Sequence, residues 1–156
     1  MLSKLRFSTL QCGLVLFWAI WLTLITLTNM TDALRHLGML AEDISWASYN
    51  YSMVEQTLGK QGIPSFVAAI LFAIIIVWEG LASVLLWRAW QAMRRGGDGL
   101  SAEVTQAFVV SLALWAAFLI ATEATVSYET AGTHKTTLIA QLATLLVLRS
   151  GTGPRS

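Results

Sequence analysis

The fold of this chain is decided by residues 64–88, whose sequence is PSFVAAILFAIIIVWEGLASVLLWR. Between Pro64 and Arg88 the only charged residue is Glu79, so this run cannot cover a surface that faces water. The hydrocarbon core of a bilayer is about 30 Å thick, and about 20 helical residues are needed to cross it. The stretch is long enough and therefore predicts a transmembrane helix.

Three further apolar runs predict the rest of the architecture. Residues 7–28 and 104–128 are each long enough to cross a bilayer, and Ser101 followed by Glu103 is typical of a helix start. Residues 134–149 are shorter, and we interpret them as a fourth span that local thinning of the bilayer can accommodate. We expect an all-α membrane protein, an antiparallel four-helix transmembrane bundle, with one domain over residues 1–150 and a mobile tail at 151–156.

The composition supports a membrane protein and argues against several other classes. Of the 156 residues 56% are hydrophobic and 12% are charged, whereas soluble domains carry about 25% charged residues. The net charge of +1 offers no basic surface for nucleic acid. The lone Cys12 excludes a disulfide within the chain, and the sequence has no zinc-spaced Cys/His cluster, nucleophile–base pair or phosphate-binding loop. We therefore expect no catalytic residue, metal, cofactor or small-molecule substrate, and a protein that is not an enzyme.

The distribution of Lys and Arg predicts which side of the membrane each terminus occupies. Basic residues are retained on the cytoplasmic side, and with four spans the two sides are unequal. One side holds Arg35, Lys60 and Lys135. The other side holds the larger group and is therefore expected to be cytoplasmic together with both termini: Lys4, Arg6, Arg88, Arg94, Arg95, Arg149 and Arg155.

Residues 30–62 form a long connection on the predicted outer face of the bundle. The segment is amphipathic and rich in aromatic residues, which favour the headgroup zone of a membrane. We expect one or two short helices here, ending near Gly59. The segment is the largest candidate surface for a partner, or alternatively a lid over the bundle, and its candidate contact residues are Trp46, Tyr49, Tyr51 and Met53.

Two carboxylic acids lie inside apolar runs and are candidates for a functional site. Glu79 lies about 22 Å along the helix from Pro64, and Glu123 lies about 7 Å from the outer end near Tyr128. A charged aspartate at the bilayer centre costs about 2.5–3.5 kcal/mol, so such groups need compensating partners. Three interpretations remain open: a hydrogen-bonded glutamate that joins helices, a contact to a partner subunit or lipid headgroup, and a proton or ion relay. The difference in depth of about 15 Å argues against a shared two-carboxylate site.

Polar residues after the first apolar run form a second candidate site. We expect Asn29, Asp32 and Arg35 to share an outer polar layer with Glu123, in which Arg35 pairs with one of the two carboxylates. Alternatively, Asn29 or Thr31 caps the end of a helix.

Small residues form strips on two of the predicted spans. At about 100° per residue, the members of each strip fall on one helical face. Helices in lipid associate where small residues let backbones approach, so we expect the strips to pack the second and third spans together or to pack one of them against another protein. The strips consist of Ala69, Ala73 and Gly80 on the second span and Ala113, Ala117 and Ala121 on the third.

Three short motifs carry a family resemblance. They are TNMTD at residues 28–32, WEGLA at residues 78–82 and TE at residues 122–123. They resemble the Asn-Asn-hydrophobic-Thr-Asp, Glu-Ala-Leu-Thr-Ala and Gly-Glu-Trp motifs of a bacterial family of small integral membrane proteins of unknown function. The chain departs from that pattern at Ala33, where the family has Tyr, at Ala124, where it has Trp, and by lacking the family's Met-Asp-Thr stretch. The resemblance implies four spans with buried acids and supplies no activity.

The sequence favours an accessory or scaffolding subunit of a larger membrane complex, of the respiratory or photosynthetic kind. Its expected partners are membrane lipids and other integral membrane subunits, and its expected location is the bacterial inner (cytoplasmic) membrane. An alternative is a small proton- or ion-conducting transporter that uses Glu79 and Glu123. A further hypothesis is a haem- or quinone-binding anchor. It is the weaker one, because haem ligation needs His36 and His134 to face one another and both are expected at the surface.

Overall fold

The computed structural model describes residues 2–96 and 100–150, with side chains described from Ser8 onward. The predicted tail at 151–156 lies outside the described residues. In the described part all regular structure is α-helical, and no strand occurs there. The helices are α1 (Leu2–His36), α2 (Asn50–Lys60), α3 (Ser65–Arg94), α4 (Ala102–Thr125) and α5 (Ala131–Ser150).

Three of these helices are long and apolar enough to cross a membrane. They are the segment Ser8–His36 of α1, all of α3 and all of α4, and they give the chain the character of a membrane protein. α5 has 20 residues, which is about 30 Å of helix. It lacks a comparably apolar composition because polar residues such as His134 and Gln141 interrupt it. The all-helical fold with three long apolar helices is confirmed, whereas the four-helix transmembrane bundle stays a prediction.

α1 continues to His36, well beyond the predicted end of the first span at residue 28. The helix ends where Gly38 adopts a φ of +69°, and the N–H groups of Gly38 and of the next residue donate to carbonyls of the last turn. This is a Schellman motif, whose left-handed position glycine occupies without steric cost. The apolar pattern stops earlier than the helix, so Asn29 and Asp32 lie on α1 rather than in the connection that follows it.

α2 is the one helix in the connection between α1 and α3. It ends in a second Schellman motif, in which Gly62 has a φ of +71° and donates its N–H to the carbonyl of Gly59. α2 ends at Lys60, directly after Gly59, so the predicted end near Gly59 is confirmed, and Gly62 is the residue with positive φ.

The two ends of α4 differ: a capping serine precedes its first turn, whereas a valine with positive φ follows its last turn. At its start the Ser101 hydroxyl accepts a hydrogen bond from the N–H of Val104 at 3.4 Å, so the predicted helix start is confirmed. At its end Val126 takes the left-handed conformation with a φ of +54°. A β-branched residue is strained in this conformation, which glycine usually occupies.

The core lies where α1, α3 and α4 meet. Thr23 lies beside Ser83 and Asn29 beside Glu79, which shows that α1 and α3 run antiparallel. α4 packs on α3 and on α5, and α2 packs across the ends of α1 and α3. The largest apolar side chains that are fully buried are Val15, Leu22, Leu86, Val104, Phe108, Leu114 and Leu148.

Apart from Gly80, the small residues buried between helices are not those of the predicted strips. Gly80 does face another helix, because a Cβ added to it would lie 3.7 Å from the Thr26 methyl of α1. Ala117 is half-buried, and the other strip members are exposed: Ala69, Ala73, Ala113 and Ala121. The fully buried alanines of the core are Ala19, Ala68, Ala82, Ala89 and Ala107. Spacing identifies a strip of small residues, but it does not tell whether that face meets a helix of the same chain.

Candidate functional site

Glu79 lies at the middle of α3 and is bound by a side chain of α1. The amide nitrogen of Asn29 donates to both carboxyl oxygens of Glu79, at 2.9 Å to Oε1 and 2.9 Å to Oε2. Both residues are 2% exposed, so the pair is a buried polar contact between the two helices. This arrangement is the one expected of a hydrogen-bonded glutamate that joins helices.

A chain of hydrogen bonds continues from this pair to the connecting segment, defined here as residues 37–64. Asn50, the first residue of α2, donates its side-chain N–H to Asn29 Oδ1 at 2.8 Å. The backbone N–H of Asn50 donates to Ser48 Oγ at 3.2 Å, and Ser48 Oγ donates to Asp32 Oδ2 at 3.3 Å. We refer to Asn29, Asp32, Ser48, Asn50 and Glu79 as the Asn29 cluster.

Asp32 is the second buried acid of this cluster, and its surroundings differ from those of Glu79. Its side chain is 0% exposed. It accepts a 2.8 Å hydrogen bond from the backbone N–H of Tyr51 and forms a 2.7 Å ion pair with Arg35, one turn further along α1. A buried charge is tolerated when it is both paired and hydrogen-bonded, and Asp32 meets both conditions. The carboxylate thereby holds the start of α2 against α1.

Tyr51 fills the space between α1, α2 and α3 next to the Asn29 cluster. Its ring lies 3.8 Å from the His36 ring and 5.6 Å from the Phe72 ring, measured between centroids. Burial raises the pKa of the Tyr51 phenol, and the neighbouring Glu55 carboxylate raises it further, so the phenol is neutral at physiological pH. Tyr51 is 5% exposed, and it therefore does not belong to the partner surface in which the sequence placed it.

Glu123 is not part of the Asn29 cluster. It is exposed near the end of α4, where the Tyr128 hydroxyl donates to Glu123 Oε2 at 3.3 Å. The expected layer of Asp32, Arg35 and Glu123 is formed only by the first two, because their side chains turn towards α2. The structure thus brings Glu79 together with Asn29 and leaves the two glutamates apart.

The two histidines pack against different aromatic residues. His36 stacks on Tyr51, as described above, and His134 stacks on Phe118 with 4.9 Å between ring centroids. Trp115 lies 6.0 Å from the His134 ring. Across the described part of the chain no ring contact joins the two histidines, so the pairing that haem ligation would need is not formed there.

A second set of buried polar contacts attaches α5 to the bundle. On α5 the buried residues Thr137, Gln141, Thr144 and Leu148 follow one another at helical spacing. Gln141 donates to Ser111 Oγ of α4 at 2.7 Å. Two α1 side chains reach the same helix: Trp18 Nε1 donates to Thr144 Oγ1 at 3.0 Å, and Gln11 Nε2 donates to the Leu148 carbonyl at 2.9 Å.

The sequence pattern indicates the polar contacts of α5, but it does not indicate that Ser48 and Asn50 belong to the Asn29 cluster. The polar residues of α5 recur every three to four positions, and that spacing indicates one helical face. Ser48 and Asn50, by contrast, lie just before and at the start of α2, and only the path of the chain brings them to Asn29 and Asp32.

An apolar groove of about 690 Å³ lies on the surface between α3 and α4. Trp78 forms its floor and donates its indole N–H to the Val110 carbonyl at 3.1 Å. The walls are apolar and include two members of the strips of small residues, Ala73 and Ala113. In a membrane such a surface meets lipid acyl chains.

The connecting segment leaves large apolar side chains exposed. Leu37 is 69% exposed, Met39 68%, Trp46 51% and Tyr49 48%. Met53, also predicted as a contact residue, is half-buried. Leu37, Met39, Trp46 and Tyr49 are referred to below as the exposed face of the connecting segment.

The described residues present an all-helical protein with the character of a membrane protein, in which several buried polar side chains join helices of the same chain. No group of three or more His, Cys, Asp or Glu side chains within residues 8–96 and 100–150 could hold a metal ion. No family model, no curated protein and no solved structure matches the chain. The resemblance to the bacterial family of small membrane proteins therefore stays an expectation.

Proposed function

We propose that the protein is a small integral membrane accessory subunit that binds other integral membrane subunits through the exposed face of its connecting segment. In this proposal α5 is the fourth span, both termini are cytoplasmic and the connecting segment lies on the outer side of the bacterial inner membrane. The exposure of Leu37, Met39 and Trp46 outside the apolar helices is the observation that carries the proposal.

The position of these side chains separates them from the ordinary lipid-facing surface. Exposed apolar residues on α3 and α4 need no partner, because lipid acyl chains cover them. The exposed face of the connecting segment follows the end of the apolar helix at His36, and in this proposal it lies outside the acyl chains. Large exposed apolar patches in such positions mark interaction sites.

Contacts to α1 order the connecting segment, and this order favours a binding surface over a loose loop. Asp32 accepts hydrogen bonds from Ser48 and Tyr51, and the buried residues Ala47 and Leu58 face inward. Tyr49 is fixed in the left-handed conformation with a φ of +61°, and the Arg35 guanidinium lies 4.3 Å from its ring centroid. A surface that is ordered before binding loses less conformational entropy when the partner docks.

Purification of the tagged chain in a gentle detergent, followed by mass spectrometry, tests this function. We expect integral membrane proteins to co-purify, and the double variant Met39→Ser, Trp46→Ser to lower their recovery about tenfold, since interface anchors each contribute more than about 1 kcal/mol. Val84→Ser is the matched control, because Val84 is 57% exposed on α3. A chain that purifies alone, or equal recovery with the double variant, contradicts the proposal.

A proton- or ion-conducting transporter is the alternative, and one observation favours it: Glu79 is connected by hydrogen bonds to the connecting segment. The two linking groups are amides, however, and Glu123 is not part of the chain of bonds. Proton flux in proteoliposomes that is lost in Glu79→Gln and kept in Glu123→Gln would favour this alternative over the accessory subunit.

A further inference from the structure

We propose that Glu79 is a proton-binding site whose occupancy is transmitted to the connecting segment by rotation of the Asn29 and Asn50 side-chain amides. The inference concerns the chain itself and does not depend on the proposed partner. It rests on the donors and acceptors of the Asn29 cluster and on the position of Glu79.

Glu79 has a central position and an incomplete set of partners. It lies about 21 Å from the start of α3 at Ser65 and about 22 Å from its end at Arg94. Its two carboxyl oxygens share one donor group, the amide of Asn29. The ion pair recorded among the described side chains joins Asp32 to Arg35 and does not include Glu79. Of the two carboxylates of the Asn29 cluster, Glu79 is therefore the one whose burial is made less costly by binding a proton.

The observed hydrogen bonds correspond to the charged form of Glu79. A carboxylate only accepts, so Asn29 turns its NH₂ group towards it and keeps Oδ1 for the NH₂ group of Asn50. When hydronium transfers a proton to one carboxyl oxygen, an O–H donor forms, water is released and no other bond changes. In this proposal Asn29 then offers Oδ1 to this donor, and its NH₂ group turns towards Asn50.

Asn50 has to rotate in response, and its position connects that rotation to the fold of the segment. Two facing NH₂ groups cannot bond, so Asn50 must present its own oxygen or move away from Asn29. Asn50 begins α2 and follows Tyr49, whose positive φ is a strained conformation. A change in the Asn29–Asn50 bond therefore acts on the strained peptide at which the connecting segment enters α2.

The other titratable groups around the cluster have partners or positions of their own. On α1 Asp32 is paired with Arg35, and His36 stacks on Tyr51. α2 contributes Tyr51 and Glu55, of which Tyr51 is buried and neutral and Glu55 lies on the partly exposed side of the helix. On α4, which packs against the other side of α3, the acids are exposed: Glu103 and Glu123. His36 contacts Tyr51 beside the cluster, and the controls therefore include a variant of His36.

The amides of Asn29 and Asn50 also limit the route by which a proton reaches Glu79. An amide does not pass a proton along as a hydroxyl or water does, so Asn29 and Asn50 do not form a relay to the surface. Proton exchange at Glu79 therefore requires water to reach it while the connecting segment is displaced. Occupancy of the site and position of the segment are linked in both directions.

The test uses the purified full chain in lipid nanodiscs with a spin label on the connecting segment. The single native thiol is replaced by Cys12→Ser, and the label is attached at Gln56→Cys, an exposed position of α2. Label mobility is measured by electron paramagnetic resonance between about pH 4 and pH 9, a range in which carboxyl groups and histidine titrate. Infrared spectroscopy follows the carboxylic acid C=O band of Glu79 in the same samples.

We expect a one-proton change in label mobility that coincides with the appearance of the C=O band. Glu79→Gln should abolish both, with mobility held at the low-pH value, because a glutamine side chain also presents a donor. His36→Gln and Glu123→Gln should retain both transitions. Asn50→Ala should retain the C=O band and lose the change in mobility, which separates proton binding from its transmission even if Glu79→Gln fails to fold.

Three results would overturn the proposal. The first is a C=O band that does not change with pH or that survives Glu79→Gln. The second is a mobility change that disappears in His36→Gln but persists in Glu79→Gln. The third is a mobility change that Asn50→Ala leaves intact.

Discussion

At the scale of single residues, α1 and α3 each carry a buried acid, and the two are compensated by different means. Asp32 has a cationic partner and hydrogen bonds from Ser48 and the Tyr51 backbone, whereas Glu79 has one amide donor. A buried carboxylate with a complete set of partners stabilises a contact, and one with few partners is sensitive to any change around it. Asp32 is therefore expected to fix the connecting segment, and Glu79 to respond to its surroundings.

Replacing Asp32 with alanine should loosen the start of α2. The substitution leaves the buried N–H of Tyr51 without an acceptor, which costs about 1–3 kcal/mol. We expect a corresponding loss in the free energy of unfolding, measured by denaturant titration in detergent micelles. Glu123→Ala is the control, because Glu123 is exposed. Equal stability of the Asp32→Ala and Glu123→Ala variants would show that the carboxylate does not hold the segment.

Asn29 and Glu79 should show strong coupling in a double-mutant cycle. Asn29→Leu leaves a buried carboxyl group without its donor, and Glu79→Leu leaves a buried amide without its acceptor, so each single change should destabilise the chain. The double variant removes both polar groups and should recover much of the loss, with a coupling energy of about 1–3 kcal/mol from the same unfolding titrations. Additive losses in the cycle would mean that the two side chains do not act as a pair.

At the scale of helices, the ends are determined by single residues with left-handed backbones. α1 and α2 end at glycines with positive φ, Gly38 and Gly62, whereas α4 ends at Val126. A β-branched side chain in this conformation crowds its own backbone, so the end of α4 is strained where the other two are relaxed. Substitution to glycine should therefore stabilise the protein at Val126 but not at neighbouring positions.

Val126→Gly should raise the stability of the protein by about 1 kcal/mol, because it removes the cost of a left-handed L-residue. The midpoint of thermal loss of helicity, followed by circular dichroism in detergent, measures the effect. Ser127→Gly is the control, since Ser127 has no positive φ and gains nothing from glycine. A lower midpoint for Val126→Gly than for the unsubstituted chain would contradict the strain at this helix end.

At the scale of the whole molecule, two polar seams hold different parts together. The Asn29 cluster attaches the connecting segment to α1 and α3, and a second seam of Gln and Thr side chains attaches α5 to α1 and α4. In lipid, hydrogen bonds of this kind join helices that have no hydrophobic drive to associate. α5 therefore has the contacts of a bundle member although its composition is less apolar than that of the other long helices.

The proposed topology has a direct test with reporter fusions. With α5 as a fourth span and the excess of basic residues inside, a fluorescent reporter that folds only in the cytoplasm should be bright after Ser150. The same reporter fused after Tyr128 should be dark, because α5 is then missing and the chain ends on the outer side. A bright signal at Tyr128 together with a dark signal at Ser150 would reverse the orientation, and equal signals would show that α5 does not cross.

The sequence by itself determined the all-helical class, the three long apolar helices and the start of α4 at Ser101, because these depend on local composition and on a local cap. It also identified Glu79 and Glu123 as acids inside apolar runs, of which the structure buries Glu79 and leaves Glu123 exposed. Only the tertiary structure decided that Asn29 is its partner, that Asp32 and Asn50 connect both to α2, and that Tyr51 faces inward. Those contacts join residues far apart in the chain, and the amphipathic pattern of the connecting segment does not indicate which of its side chains meet α1 and α3.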